Sequence, residues 1–214
     1  MSSSTAVRYG IYGGAFDPIH LGHLLLAESC LRQQRLDRVF FVPTGNSPHR
    51  AGKTAYHASA EDRLNMIEAA ITGFEEFLVS RYEIDRAEKS YTVETLRYFH
   101  QTFSLIEPKF YLLAGADMFN DLPNWYLPEE ICRLATPLAI MRPEVPLPYF
   151  AALSGIVSAE RLEEIRQAAV MMPQIGISST QIRQHTAAGK SIRFMVPRSV
   201  EAYIASHHLY QTAE

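Results

Sequence analysis

Short apolar runs alternate with segments of helical spacing along most of this chain. Val7–Tyr12, Arg38–Pro43, Phe77–Ser80, Lys109–Gly115 and Pro137–Met141 are largely apolar and read as strands. Leu21–Leu31, Ala60–Thr72, Thr92–Thr102, Pro128–Leu134 and Ala159–Ala169 carry helical patterns. Strand then helix, repeated, predicts an α/β fold: a doubly wound parallel sheet with helices on both faces. The proline-rich stretch Arg142–Ser158 breaks the alternation and predicts an excursion before the chain returns. Ile177–Ala188 opens on hydroxyl residues suited to a helix start, and Ser199–Ser206 predicts a last helix. At 214 residues this is one domain over 1–214, with a core of about 7–183 and a small helical part of about 184–214.

Composition narrows the classes. With 47% hydrophobic and 20% charged residues the chain is an ordinary globular protein. A net charge of -3 gives no polycation signal, so no nucleic-acid partner is expected. The serine-rich start lacks an apolar leader core and no run reaches membrane-spanning length, which predicts no membrane association and a cytoplasmic location. Cys30 and Cys132 have no zinc spacing and are too few for a disulfide scaffold; both are expected reduced and buried.

The chemistry concentrates in Gly13-Gly14-Ala15-Phe16-Asp17-Pro18-Ile19-His20-Leu21-Gly22-His23. A strand, a glycine turn at Gly13-Gly14 and a helix start suit an anion, because glycine lets backbone approach phosphate and first-turn amides point at it. His20 and His23 lie three apart, so both imidazoles can share one helix face and offset charge on an attacked phosphorus. Pro18 suits a helix opening, and Asp17 suits a cap. By itself a His-x-x-His pair also fits a surface helix face or a weak metal site. Ile177-Ser178-Ser179-Thr180-Gln181-Ile182-Arg183 is a second candidate anion site; taken alone it is equally a capping-box variant with a solvated Arg183.

Together these two segments resemble the nucleotidyltransferase superfamily, whose core pattern is His or Thr, any residue, Gly, His. The middle of the chain narrows the resemblance to the nicotinate mononucleotide adenylyltransferase family of bacterial type. Matching pieces are Pro43 with Ser47-Pro48-His49-Arg50, Arg63 within a helix, Ser90-Tyr91-Thr92, Gly115-Ala116-Asp117, and Leu122-Pro123-Asn124-Trp125-Tyr126. The resemblance implies a Rossmann-like fold and transfer of AMP from ATP to nicotinate mononucleotide, giving nicotinate adenine dinucleotide and pyrophosphate in NAD biosynthesis.

It also implies roles. His20, His23 and Arg183 would be catalytic, the histidines at the α phosphate and Arg183 at the β and γ phosphates. Gly13, Gly14, Ala15, Phe16, Gly22, Gly115, Asp117, Ile177, Ser178, Ser179 and Thr180 would complete the ATP site. Trp125 would stack on the pyridine ring, amides near Thr92 and Tyr126 would receive the carboxylate, and Arg50 would meet the mononucleotide phosphate. Mg²⁺ would be held mainly by the triphosphate, with no metal-ligating residue of the chain. Ala15 stands where the family usually has Ser or Thr, and Arg142 stands alone where some relatives have two arginines.

The residues themselves leave alternatives open. Trp125 also reads as a core aromatic, Asp117 and Thr92 as helix caps, and Arg63 as a solvated helix charge. His57, His100, His185, His207 and His208 read as ordinary surface or core residues. A nicotinamide mononucleotide or dual-specificity enzyme, and a non-catalytic nucleotide sensor, compete with the main reading. Homo-oligomerisation is left open.

Overall fold

The alternation of apolar runs becomes a six-stranded sheet in a computed structural model that describes residues 6–46, 56–141 and 149–211. The strands are β1 (Arg8–Gly14), β2 (Arg38–Pro43), β3 (Phe77–Val79), β4 (Lys109–Ala114), β5 (Thr136–Met141) and β6 (Val170–Met171), in the order β3-β2-β1-β4-β5-β6. Parallel pairing sets Arg8 opposite Lys109, Tyr111 opposite Thr136, and Ile140 opposite Val170. The order reverses at β1, as in doubly wound, Rossmann-like sheets, where ligands gather beyond the carboxyl ends of strands. β2, β4 and β5 are buried along almost their whole length, which is why their sequences are unbroken apolar runs.

The helices are α1 (Leu21–Gln33), α2 (Ala60–Ile71), α3 (Thr92–Thr102), α4 (Ala116–Asp121), α5 (Pro128–Leu134), α6 (Ala159–Gln167), α7 (Ser179–Ala187) and α8 (Arg198–Ser206). Two elements lie outside the pattern expected from the sequence: β6, only two residues long, and α4, only six. Within the proline-rich excursion, Phe150–Leu153 forms a 3-10 turn, while residues 142–148, including Arg142, lie outside the described residues.

The chain packs as two compact units. One is drawn from Met1–Gly13, Leu26–Phe40 and Tyr91–Gln174, the other from Gly14–Leu25, Phe41–Ser90 and Ile175–Glu214. In the first, edge-to-face rings of Tyr9, Phe40 and Phe99 join Leu96 and Leu113 in the core. In the second, α2 and α8 pack together, with Leu64, Ile67, Val200 and Ile204 buried. α2 opens on a full capping box: Ser59 Oγ accepts from the Asp62 amide, and the Asp62 carboxylate accepts from the Ser59 amide.

Candidate active site

The stretch from the end of β1 into the first turn of α1 carries both histidines and lies in the second unit. β1 does not stop before the glycines: it runs through Gly13 and Gly14, and the turn follows at Ala15 and Phe16. A Cβ on Gly14 would lie 2.9 Å from the ring of Phe16, which folds back over it with a positive φ of 48°. Glycine at 14 therefore makes room for a buried aromatic rather than a tight turn. α1 begins at Leu21, three residues beyond Pro18, so Pro18 does not open the helix; the Asp17–Pro18 peptide is cis.

Asp17 is not a helix cap either. Its carboxylate, 2% exposed, accepts from the His57 amide (2.8 Å), the Ala58 amide (3.1 Å) and the Tyr210 hydroxyl (2.9 Å). The backbone takes over the capping: the His20 carbonyl accepts from the amides of His23 (2.9 Å) and Leu24 (3.3 Å).

His20 and His23 come together, although His20 stands just before α1 and only His23 lies in its first turn. Their rings stack with centroids 3.7 Å apart at 24°, and Phe16 meets His23 edge-on at 5.1 Å. The backbone N–H of His20 donates to His23 Nδ1 at 3.2 Å. An accepting Nδ1 carries no proton, so neutral His23 holds its proton on Nε2, which becomes the donor. Burial lowers the His20 pKa to about 4, and burial followed by repulsion from His20 holds His23 well below its ordinary value. Before a ligand arrives, both rings are neutral donors at pH 7. Gly22 is part of this arrangement, because a Cβ there would sit 3.0 Å from His20 Cε1 and Nδ1.

The serine-threonine cluster comes to the same segment. Ser178 caps α7, its Oγ accepting from the Gln181 amide at 3.2 Å, so the helix starts two residues later than Ile177. Ser179 Oγ donates to the Pro18 carbonyl at 2.8 Å, and Thr180 Oγ1 accepts from Arg183 Nη2 at 3.3 Å. Arg183 Nη1 donates to the Asp17 carbonyl at 2.7 Å. The hydroxyls thus cap the helix and dock it, while Arg183, half-buried, is held against the histidine segment.

Of the residues expected to recognise the acceptor, Thr92, Trp125 and Tyr126 lie in the first unit, as do Gly115 and Asp117 of the expected ATP site. Gly115 caps α4 at the carboxyl end of β4, which puts Asp117 in the first helical turn instead of at the cap. Thr92 is likewise the first helical residue of α3, following Tyr91 at the cap position, which makes no side-chain cap bond. Trp125 is 9% exposed and its Nε1–H donates to Asp121 Oδ2 at 3.2 Å, while Asn124 donates to Asp121 Oδ1 at 3.0 Å. Tyr126 is 53% exposed and its ring lies 4.8 Å from that of Tyr91. Arg50, expected at the mononucleotide phosphate, lies outside the described residues, as does His49.

Comparison with known proteins decides the family. Residues 11–185 match the cytidylyltransferase-like family model. A probable nicotinate-nucleotide adenylyltransferase of Synechococcus sp. (strain JA-3-3Ab) is 41% identical over 95% of this chain and 94% of its own. One of Thermus thermophilus is 39% identical over 96% of this chain and 100% of its own. The chain belongs to the nicotinate-nucleotide adenylyltransferase family. The fold agrees with that of a solved structure from Plasmodium falciparum, a nicotinic acid mononucleotide adenylyltransferase complexed with NaAD, at TM-score 0.69 and 17% identity over 95% of this chain and 97% of that one.

Within this adenylyltransferase, two features escape a reading of local sequence. Arg63 is not a solvated helix charge. It is 1% exposed, its Nη1 donates to the Ala15 carbonyl and its Nη2 to the Thr44 carbonyl, each at 2.8 Å, and its guanidinium lies 4.0 Å from the Tyr56 ring. It braces the turn after β1 against the turn after β2. Its spacing to Met66, Ile67 and Ala70, one face of α2, is the available signal. The second feature is Asp17, whose partners at 57, 58 and 210 leave no trace in a local window.

Proposed function

We propose that this adenylyltransferase transfers AMP from ATP to nicotinate mononucleotide, forming nicotinate adenine dinucleotide and releasing pyrophosphate. An oxygen of the mononucleotide phosphate attacks the α phosphorus of ATP in line; the new P–O bond forms as the bond to the bridging oxygen of the β phosphate breaks, and the electron pair leaves with pyrophosphate. The observation that carries this reading is the stacked pair of neutral imidazoles at the start of α1, with His23 Nε2–H as donor, joined by hydrogen bonds to the helix that bears Arg183. Such donors stabilise charge that develops on the attacked phosphate without any covalent intermediate. Arg183 supplies a fixed positive charge for the leaving phosphates.

Mg²⁺ fits this site as an ion carried by the triphosphate. The Asp17 carboxylate, the acidic group nearest the histidines in sequence, already accepts three donors. When bound, the ion neutralises phosphate charge, and this chain contributes the histidines and Arg183 around it. Trp125 would stack on the pyridine ring of the acceptor, with backbone amides near Thr92 and Tyr126 receiving its carboxylate. Burial pushes the thiols of Cys30 and Cys132 up, to about 11 for Cys132, so both remain protonated and inert, as suits a cytoplasmic enzyme.

Pyrophosphate release with Mg-ATP and either nicotinate or nicotinamide mononucleotide tests the reading. A large kcat/KM advantage for nicotinate is expected. Comparable values would make the enzyme dual-specific, and no release with either acceptor, despite ATP binding, would make the chain a nucleotide sensor.

A further inference from the structure

The segment after α8 returns to the phosphate site. His208 and Tyr210 both adopt left-handed backbone, with φ of 52° and 61°, a conformation that non-glycine residues hold only when their surroundings fix it. The Tyr210 hydroxyl is tied to the phosphate segment: it donates to Asp17 Oδ1 at 2.9 Å. Asp17 is three residues from His20, and its own carbonyl is the acceptor for Arg183. One residue thus faces the segment after α8 through its side chain and the candidate leaving-group arginine through its main chain.

Other remote anchors act on the same stretch. Ser179 holds Pro18, and the Leu21 amide donates to the Met195 carbonyl at 3.0 Å. Tyr210 differs from these in gripping a buried carboxylate, and hydrogen bonds to charged groups are the strong ones. Burial, and then the charge of Asp17, push the Tyr210 phenol above its ordinary value, so it stays a donor at every working pH.

We propose that Tyr210 is a positioning residue: by latching Asp17 it holds residues 17–20 and Arg183 in the arrangement that receives the triphosphate. Without the latch, Asp17 keeps only the donors of the His57–Ala58 segment, and the main chain that carries both Arg183's acceptor and His20 loses one of its braces. The effect falls on ATP, not on the acceptor. The proposal rests on reading residues 17–23 as the triphosphate site.

α8 supplies a matched control. Tyr203 also donates its hydroxyl to a carboxylate, Asp62 Oδ1 at 3.0 Å, but acts between α8 and α2. Equilibrium titration with Mg-ATP, which needs no turnover, is made on wild type, Tyr210→Phe and Tyr203→Phe, alongside KM and kcat for both substrates. Expected is about tenfold weaker ATP binding in Tyr210→Phe, the worth of one hydrogen bond to a charged group. Its KM for the mononucleotide stays within twofold, and Tyr203→Phe binds ATP as wild type does. ATP binding by Tyr210→Phe within twofold of wild type overturns the latch, as does equal weakening in both variants, which marks a general stability effect. Wild type that binds ATP without turnover defeats the transfer reading while the titration still decides the latch; wild type that does not bind ATP defeats both.

Discussion

The phosphate segment and the tryptophan segment are built on opposite plans. Residues 14–23 are held by partners far away in sequence: Thr44, Arg63, Ser179, Arg183, Met195 and Tyr210. Residues 121–127 make short-range polar contacts, with Asn124 and Trp125 both reaching back to Asp121 and Leu127 turning the chain at a φ of 54°, while Tyr126 meets the ring of Tyr91. Chemistry explains the difference. Donors for a developing charge must be fixed before reaction, since any reorganisation adds to the barrier, and long-range bracing fixes them. A flat ring is recognised by stacking, which tolerates small displacements.

The contrast is sharpest in the response to substitution. His23→Ala should lower kcat by two to three orders of magnitude, about 3–4 kcal/mol of transition-state stabilisation, with a much smaller loss of folding stability. Turnover measured beside a denaturation curve checks this; full activity in the variant would remove the histidines from the mechanism.

A second, smaller effect follows from burial of the pair. The folded-state pKa of His20 lies below its unfolded value, so on acidification the unfolded chain takes a proton first. Its stability contribution is complete above pH 6.5 and drains away as the pH falls toward about 4, by about 3 kcal/mol across that window. Urea unfolding at pH 7 and pH 4.5 should show a steeper loss for wild type than for His20→Gln. Equal losses would mean that His20 is not held neutral by the fold.

The tryptophan segment should give the mildest phenotype. Trp125→Phe keeps an aromatic ring but drops the indole donor to Asp121, and should raise KM for the mononucleotide about fivefold while leaving KM for ATP alone. Steady-state kinetics with each substrate varied in turn decide it, and a change confined to ATP would contradict the division of labour between the two segments.

Legibility in the sequence follows the same division. Strands such as Arg38–Pro43 and helices such as Thr92–Thr102 and Pro128–Leu134 have the bounds their patterns predict, because burial on both faces or along one stripe writes itself into consecutive residues. β6 and α4 are too short to complete a period. In the phosphate segment, the close spacing of His20 and His23 predicts that they meet, while the place of His20 at the cap of α1 is not written in it. Arg63 and Asp17 escape for one reason: a charged side chain is assigned to solvent or to a cap unless its partners are known, and theirs are 19 to 193 residues away.

Gly22 carries a consequence for sequence space. A Cβ in place of one of its Cα hydrogens would lie 3.0 Å from His20 Cε1 and Nδ1, so the glycine and the histidine are coupled choices. A side chain at 22 requires the imidazole at 20 to give by a few tenths of an ångström while it stays stacked on His23. A shorter residue at 20, such as threonine, vacates the space and makes 22 tolerant. Positions 20 and 22 are therefore expected to influence each other, through contact between a ring and a missing methyl group.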